Sequence, residues 1–131
     1  MIFIFFQLSL NAQIFQKITN SIIVSDIPIS STAGWIDYNN DDFLDLFVAR
    51  EEFLPNLLYK NLGDGTFIKI VNGDIVNDHD KSRGQTWGDI NNDCFIDLYI
   101  YNQGNNSFYL NDGDSTFTKV ISGLFVNNND N

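Results

Sequence analysis

Short apolar runs separated by polar, turn-forming residues recur along the chain, and no stretch sustains a helical period. Leu44–Ala49 and Ile96–Tyr101 are rich in β-branched and aromatic residues. They are too short for helices, and their near-continuous apolar character predicts strands buried on both faces. Asn56–Asn61 and Asn106–Asn111 read as second strands, and Thr66–Val71 and Thr116–Ile121 as third strands. Gly63-Asp64-Gly65 and Gly113-Asp114-Ser115 lie before those third strands and supply residues that tolerate φ > 0. Ala33–Ile36 and Gln85–Gly88 bring each set to four strands.

The two sets are copies of one unit. Trp35 and Trp87 are 52 positions apart, and at that offset Asp37, Asn39, Asn40, Asp41, Phe43, Asp45 and Leu46 meet identical residues. Backwards, Phe15, Lys17, Asn20, Val24 and Asp26 meet Phe67, Lys69, Asn72, Val76 and Asp78. Further on the offset becomes 50, and Tyr59, Asn61, Gly63, Asp64, Thr66 and Phe67 meet their counterparts from Tyr109 to Phe117. The units run 15–66 and 67–116, with the start of a third at 117–131. Four short strands in about 50 residues, repeated, predict an all-β fold of β-propeller blades. The expectation is about two four-stranded antiparallel blades, an incomplete propeller. A ring takes about 4–8 blades, so the remaining blades are expected in a longer chain, of which this is an N-terminal fragment, or by self-association. Trp35 and Trp87 keep a fixed register and are expected in the core rather than in a sugar site.

The repeat is centred on an acidic loop, Asp37–Asp45 and again Asp89–Asp97. Side-chain oxygens fall at loop positions 1, 3, 5 and 9: Asp37, Asn39, Asp41 and Asp45, then Asp89, Asn91, Asp93 and Asp97. Position 7 is Phe43 or Phe95, which has only a carbonyl to offer. Alternating oxygens on a tight loop suit calcium, a hard cation with 6–8 oxygen ligands. No thiolate or imidazole stands in place for zinc. An EF-hand needs an acid at position 12 and flanking helices; position 12 is Val48 or Ile100, and the flanks are strands. About two calcium ions are expected, one per loop.

Charge supports this. Asp and Glu outnumber Lys and Arg by 17 to 7, a net charge of −10. That excludes a nucleic-acid partner, whose phosphates require basic residues, and a polybasic membrane surface. The single cysteine, Cys94, leaves no intramolecular disulfide. His79 sits among polar residues as a solvated loop residue, and no Ser/His/Asp or Cys/His arrangement exists to support catalysis. Residues 1–12, with the apolar run Ile2–Leu10, read as a secretory signal peptide ending near Ala12, although no Lys or Arg precedes Lys17. No other segment is suited to crossing a membrane.

The stretch from Trp35 through Val48, followed by Asn56 to Phe67, resembles the FG-GAP or VCBS-type repeat. The second copy matches from Trp87 through Ile100 and from Phe108 to Phe117. The resemblance implies integrin-alpha-like propeller blades. It implies calcium ligands at Asp37, Asn39, Asp41 and Asp45 with the Phe43 carbonyl, and at Asp89, Asn91, Asp93 and Asp97 with that of Phe95. It implies a secreted or cell-surface, non-catalytic module for adhesion or for binding a protein or glycan ligand; an accessory part of a larger secreted enzyme is the alternative. The family usually has Gly at loop position 6, where this chain has Asp42 and Cys94. A left-handed Cys has less help from local hydrogen bonds than Asp, so the second loop is expected to bind more weakly.

Overall fold

The computed structural model describes residues 17–26 and 29–123; the expected signal peptide and the end of the third unit lie outside them. Two four-stranded antiparallel meanders make up the fold. The first sheet contains β1 (Ser30–Ile36), β2 (Asp45–Arg50), β3 (Leu57–Asn61) and β4 (Phe67–Ile70), in that order. The second contains β5 (Ser82–Gly88), β6 (Asp97–Asn102), β7 (Ser107–Asn111) and β8 (Phe117–Val120). These are propeller blades, and each predicted strand lies within a residue or two of its place, except that β1 and β5 start three residues earlier. The sheets take the repeat in another phase from units cut at Phe67, because β4 closes the first sheet.

Pairing follows the alternation of side chains. Leu46 is opposite Tyr59 and Val48 opposite Leu57, while Phe47 is opposite Leu58 between them. Leu46, Val48, Leu57 and Tyr59 therefore share one face of the first sheet, backed by Ile23 and Phe67. Phe47, Ala49 and Leu58 lie on the other face, against Leu98, Ile100, Tyr109 and Phe117 of the second sheet. The main core is this junction between sheets. Burial of each large apolar side chain there contributes about 1.5–3 kcal/mol.

Two one-turn helices were not legible as periodicity: α1 (Ile22–Ser25) and α2 (Asp74–Asn77). α2 joins the sheets and plugs the junction with Ile75 and Val76, both buried.

Two expectations are corrected. β2 is buried on both faces, but β6 is covered on one only: Leu98 and Ile100 are buried, whereas Tyr101 is exposed and Tyr99 half-buried. Trp87 packs into the junction, edge-on to Phe47 with ring centroids 5.5 Å apart. Trp35, its counterpart, is 58% exposed and touches only the Phe67 ring among aromatics, at 6.0 Å. The reason is the same in both cases: among the described residues, no further sheet covers the outer faces.

Candidate metal loops

Each acidic loop joins the first two strands of its blade. Its polar side chains bend the backbone by accepting its amides, a job for which short Asp and Asn side chains are suited. In the first loop Asp37 accepts from the N–H of Asp41 at 3.1 Å and of Asp42 at 2.9 Å. Asn39 Oδ1 accepts from Asp41 N–H at 3.2 Å, and Asp41 Oδ1 from Phe43 N–H at 3.1 Å. The second loop repeats this: Asp89 accepts from Asp93 and Cys94 N–H at 3.1 and 3.0 Å, Asn91 from Asp93 N–H at 3.1 Å, and Asp93 from Phe95 N–H at 2.8 Å. Positions 4 and 6 are left-handed in both, with φ of 55° at Asn40, 67° at Asp42, 59° at Asn92 and 72° at Cys94. The Gly usual at position 6 is thus replaced by residues forced into its conformation.

Position 9 opens the next strand. Asp45 and Asp97 are fully buried. Asp97 accepts from Asn111 N–H at 2.9 Å and, through its second oxygen, from Ile90 N–H at 3.0 Å. Asp45 Oδ1 accepts from Asn61 N–H at 2.7 Å. The Tyr38 amide, counterpart of that of Ile90, favours the ionised form of Asp45, yet Oδ2 has no hydrogen-bond partner of acceptable geometry. Burial pushes the Asp45 carboxyl up to about 6, outweighing those two amides, with Asp41 and Asp37 adding repulsion.

Each loop thus brings positions 1, 3, 5 and 9 to one end of its blade. As they stand, no three acidic, His or Cys side chains among the described residues converge to hold an ion; the outer carboxylates are turned onto the loop's own amides. The donor set is nonetheless all oxygen, and the buried Asp45 Oδ2 is an acceptor still short of a partner. These features fit a hard cation at the first loop.

Two further parts of the site went unassigned in the sequence. The position 7 rings dock on the turn after the third strand: a Cβ added to Gly63 would stand 2.5 Å from the Phe43 ring, and one on Gly113 2.7 Å from that of Phe95. Asn61 and Asn111 brace loop to turn. Asn61 donates to Leu44 O at 3.0 Å and accepts from Gly63 N–H at 3.0 Å; Asn111 does the same with Ile96 O at 3.2 Å and Gly113 N–H at 3.0 Å. Asn111 also donates to Tyr38 O at 2.8 Å, linking the second blade to the first loop. Lys60 lies 3.2 Å from Asp41 Oδ2; its counterpart in the second blade is Leu110.

A second repeated polar cluster has no acidic-loop members. Tyr59 donates its hydroxyl to Asp26, and Lys69 reaches the same oxygen at 3.0 Å. Tyr109 donates to Asp78, and Lys119 reaches it at 3.0 Å. The second copy is extended by Asp80, which accepts from Ser107 at 2.9 Å and Asn102 at 3.1 Å. Each cluster ties the segment before a blade to that blade's third and fourth strands. The identities Asp26/Asp78 and Tyr59/Tyr109 were visible in the repeat, but their mutual contact was not.

Residues 37–100 match the family described as FG-GAP-like repeat. That stretch is similar to the FG-GAP-like repeat. The matched stretch contains both acidic loops and ends within β6, so the FG-GAP-like repeat coincides with the junction of the two blades. No curated protein matches the chain. No helix among the described residues is long and apolar enough to cross a membrane. His79 is exposed, with Nδ1 3.0 Å from Phe53 O.

Proposed function

We propose that the chain is a calcium-clipped, non-catalytic propeller module. Asp37, Asn39, Asp41 and Asp45, with the Phe43 carbonyl, hold one ion; Asp89, Asn91, Asp93 and Asp97, with the Phe95 carbonyl, hold another. The buried, unpartnered Oδ2 of Asp45 carries this reading, because an uncompensated buried carboxylate oxygen is costly and a cation removes the cost. When bound, the ion supplies positive charge that neutralises the clustered carboxylates; it is structural, as loop and turn are braced through Phe43, Asn61 and Gly63.

Affinities of about 10⁻⁴–10⁻³ M are usual for extracellular calcium modules, and a secreted or cell-surface setting supplies calcium at that level. Adhesion or capture of a protein or glycan ligand is the role we assign. Its acids support no catalytic role, since most are engaged in repeated loop and inter-strand hydrogen bonds. A thermal melt with calcium and with chelator tests the clip: calcium is expected to raise the melting temperature, and an unchanged melt would sink the reading.

A further inference from the structure

We propose that two copies of this chain pack head to tail, repeating between molecules the junction seen between its two blades. The inference rests on the blade architecture and is independent of calcium. Its basis is that both halves of the observed junction recur on the outer faces of the two sheets, where no further sheet covers them among the described residues.

In the observed junction the first blade presents Gly34, Phe47 and Leu58, a row set across three paired strands. The second blade answers with Trp87 and Phe117, whose rings meet at 6.1 Å, and Trp87 lies edge-on to Phe47. On the outer face of the second blade the same row reads Thr86, Tyr99 and Phe108. With Ile90 it lines an open groove of about 280 Å³. On the outer face of the first blade Trp35 and Phe67 pair at 6.0 Å, as Trp87 and Phe117 do. They border a second groove of about 430 Å³, together with Ile22, Ile23 and Val24. Ile90 and Trp35 are 55% and 58% exposed. One face is the shape of the socket, the other that of the insert.

The changes between the observed and the proposed junction compensate one another. Gly34 is small because the second blade sets Gln85 against it: a Cβ there would meet Gln85 Nε2 at 2.7 Å. In the outer row Gly34 becomes Thr86, and the residue that would face it, the counterpart of Gln85, is Ala33. Bulk added on one side is removed from the other. The rest of the row stays apolar or aromatic, Phe47 becoming Tyr99 and Leu58 becoming Phe108. An unrelated partner would have no reason to match this exchange, whereas a second copy carries it.

Such an interface is heterologous, so it closes a ring or propagates.

The test is sedimentation of the whole chain over a range of concentrations, at about 0.15 M salt to screen its negative charge. Wild type is expected to assemble. Trp35→Glu destroys the insert and Tyr99→Glu the socket, so each alone is expected to be monomeric. Mixed, they retain one good face each and are expected to form a one-to-one dimer that stops there. That recovery also shows that both variants fold; if Tyr99→Glu loses its strand circular dichroism, Ile90→Glu on the same groove replaces it. A monomeric wild type, assembly surviving in either variant, or a mixture that stays monomeric would overturn the proposal. Running the series with calcium and with chelator separates its failure from failure of the calcium reading.

Discussion

Trp87 meets Phe47 edge-on, with ring centroids 5.5 Å apart and planes at 86°. This contact joins the two blades, whereas the identical residue one repeat earlier, Trp35, faces outwards. Trp87→Ala is expected to destabilise the chain by about 2–3 kcal/mol, below the range for a fully buried aromatic because Trp87 is only partly buried against the core. Trp35→Ala, measured in dilute solution, is expected to cost about 1 kcal/mol or less. Urea denaturation of both variants checks the ordering, and equal losses would contradict it.

Asp45 carries opposite signs with and without an ion. Burial raises its folded pKa to about 6, above the unfolded value of about 3.9. The folded, ion-free protein therefore binds the proton more tightly than the unfolded chain, and its stability falls as pH rises from about 4 to 6. Asp45→Asn keeps an acceptor for the Asn61 amide and removes the charge. Without calcium at pH 7 it is expected to stabilise the chain by about 2–3 kcal/mol. With calcium it is expected to lose the ion-dependent rise in melting temperature. Scans of both proteins, with and without chelator, check both signs.

Gly63 serves the acidic loop from outside it. At φ +76° it favours glycine, and an added Cβ would strike the Phe43 ring. Gly65, at φ +88°, has nothing within 4 Å. Gly65→Ala is expected to cost only backbone strain, about 1 kcal/mol. Gly63→Ala is expected to cost at least about 1 kcal/mol more, from the clash. The excess should vanish in a Phe43→Ala background, since the two residues touch. A double-mutant cycle on chemical denaturation measures it.

The Asp26–Tyr59–Lys69 cluster stabilises one pH range. The Tyr59 hydrogen bond, then Lys69, hold the Asp26 carboxyl below its usual value. A depressed folded pKa adds stability above the unfolded pKa, near 4, and that stability is lost as pH falls through the lower folded value. At Asp78 burial pushes upward, but Tyr109, Asp80 and Lys119 outweigh it, so the same sign holds. Asp26→Asn is expected to leave a flatter profile of melting temperature from pH 6 to pH 3 than wild type, and a profile as steep as that of wild type would refute the assignment.

Lys60 and Cys94 set the two loops apart. Lys60 sits on Asp41 and must yield to an arriving cation. Both groups are about a third exposed, so the competition is worth under about 1 kcal/mol. Lys60→Leu, which copies the second blade, is expected to tighten calcium at the first loop by about two- to fivefold. Cys94 is left-handed at 72°, and Cys94→Gly is expected to tighten the second. Calorimetric titration, with Asp41→Ala or Asp93→Ala silencing one loop at a time, reads each site separately.

The positions of the eight strands, their grouping into two four-stranded antiparallel blades and the place of the acidic loops between them were legible along the chain. They depend on contacts between residues close in sequence, where alternation and Asx-type hydrogen bonding act locally. Phe43 and Phe95 were legible only as carbonyl donors, because their rings reach across to a turn some twenty residues on. Asp26, Tyr59 and Lys69 were visible as repeated letters, and only folding brings them to one oxygen.

Identical residues also acquired different fates. Trp35 and Trp87 hold the same position in the repeat, two residues before the first Asp of each acidic loop, and that position alone does not distinguish them. Leu46 to Ala49 and Leu98 to Tyr101 are likewise one strand pattern, yet the first is covered on both faces and the second on one. The repeat dictates the blade because hydrogen bonding and alternation within a meander are local. Which blade face is buried is decided by stacking, a contact between units that the one-dimensional pattern does not encode. Hence Trp87 packs against the core and Trp35 lies at the surface.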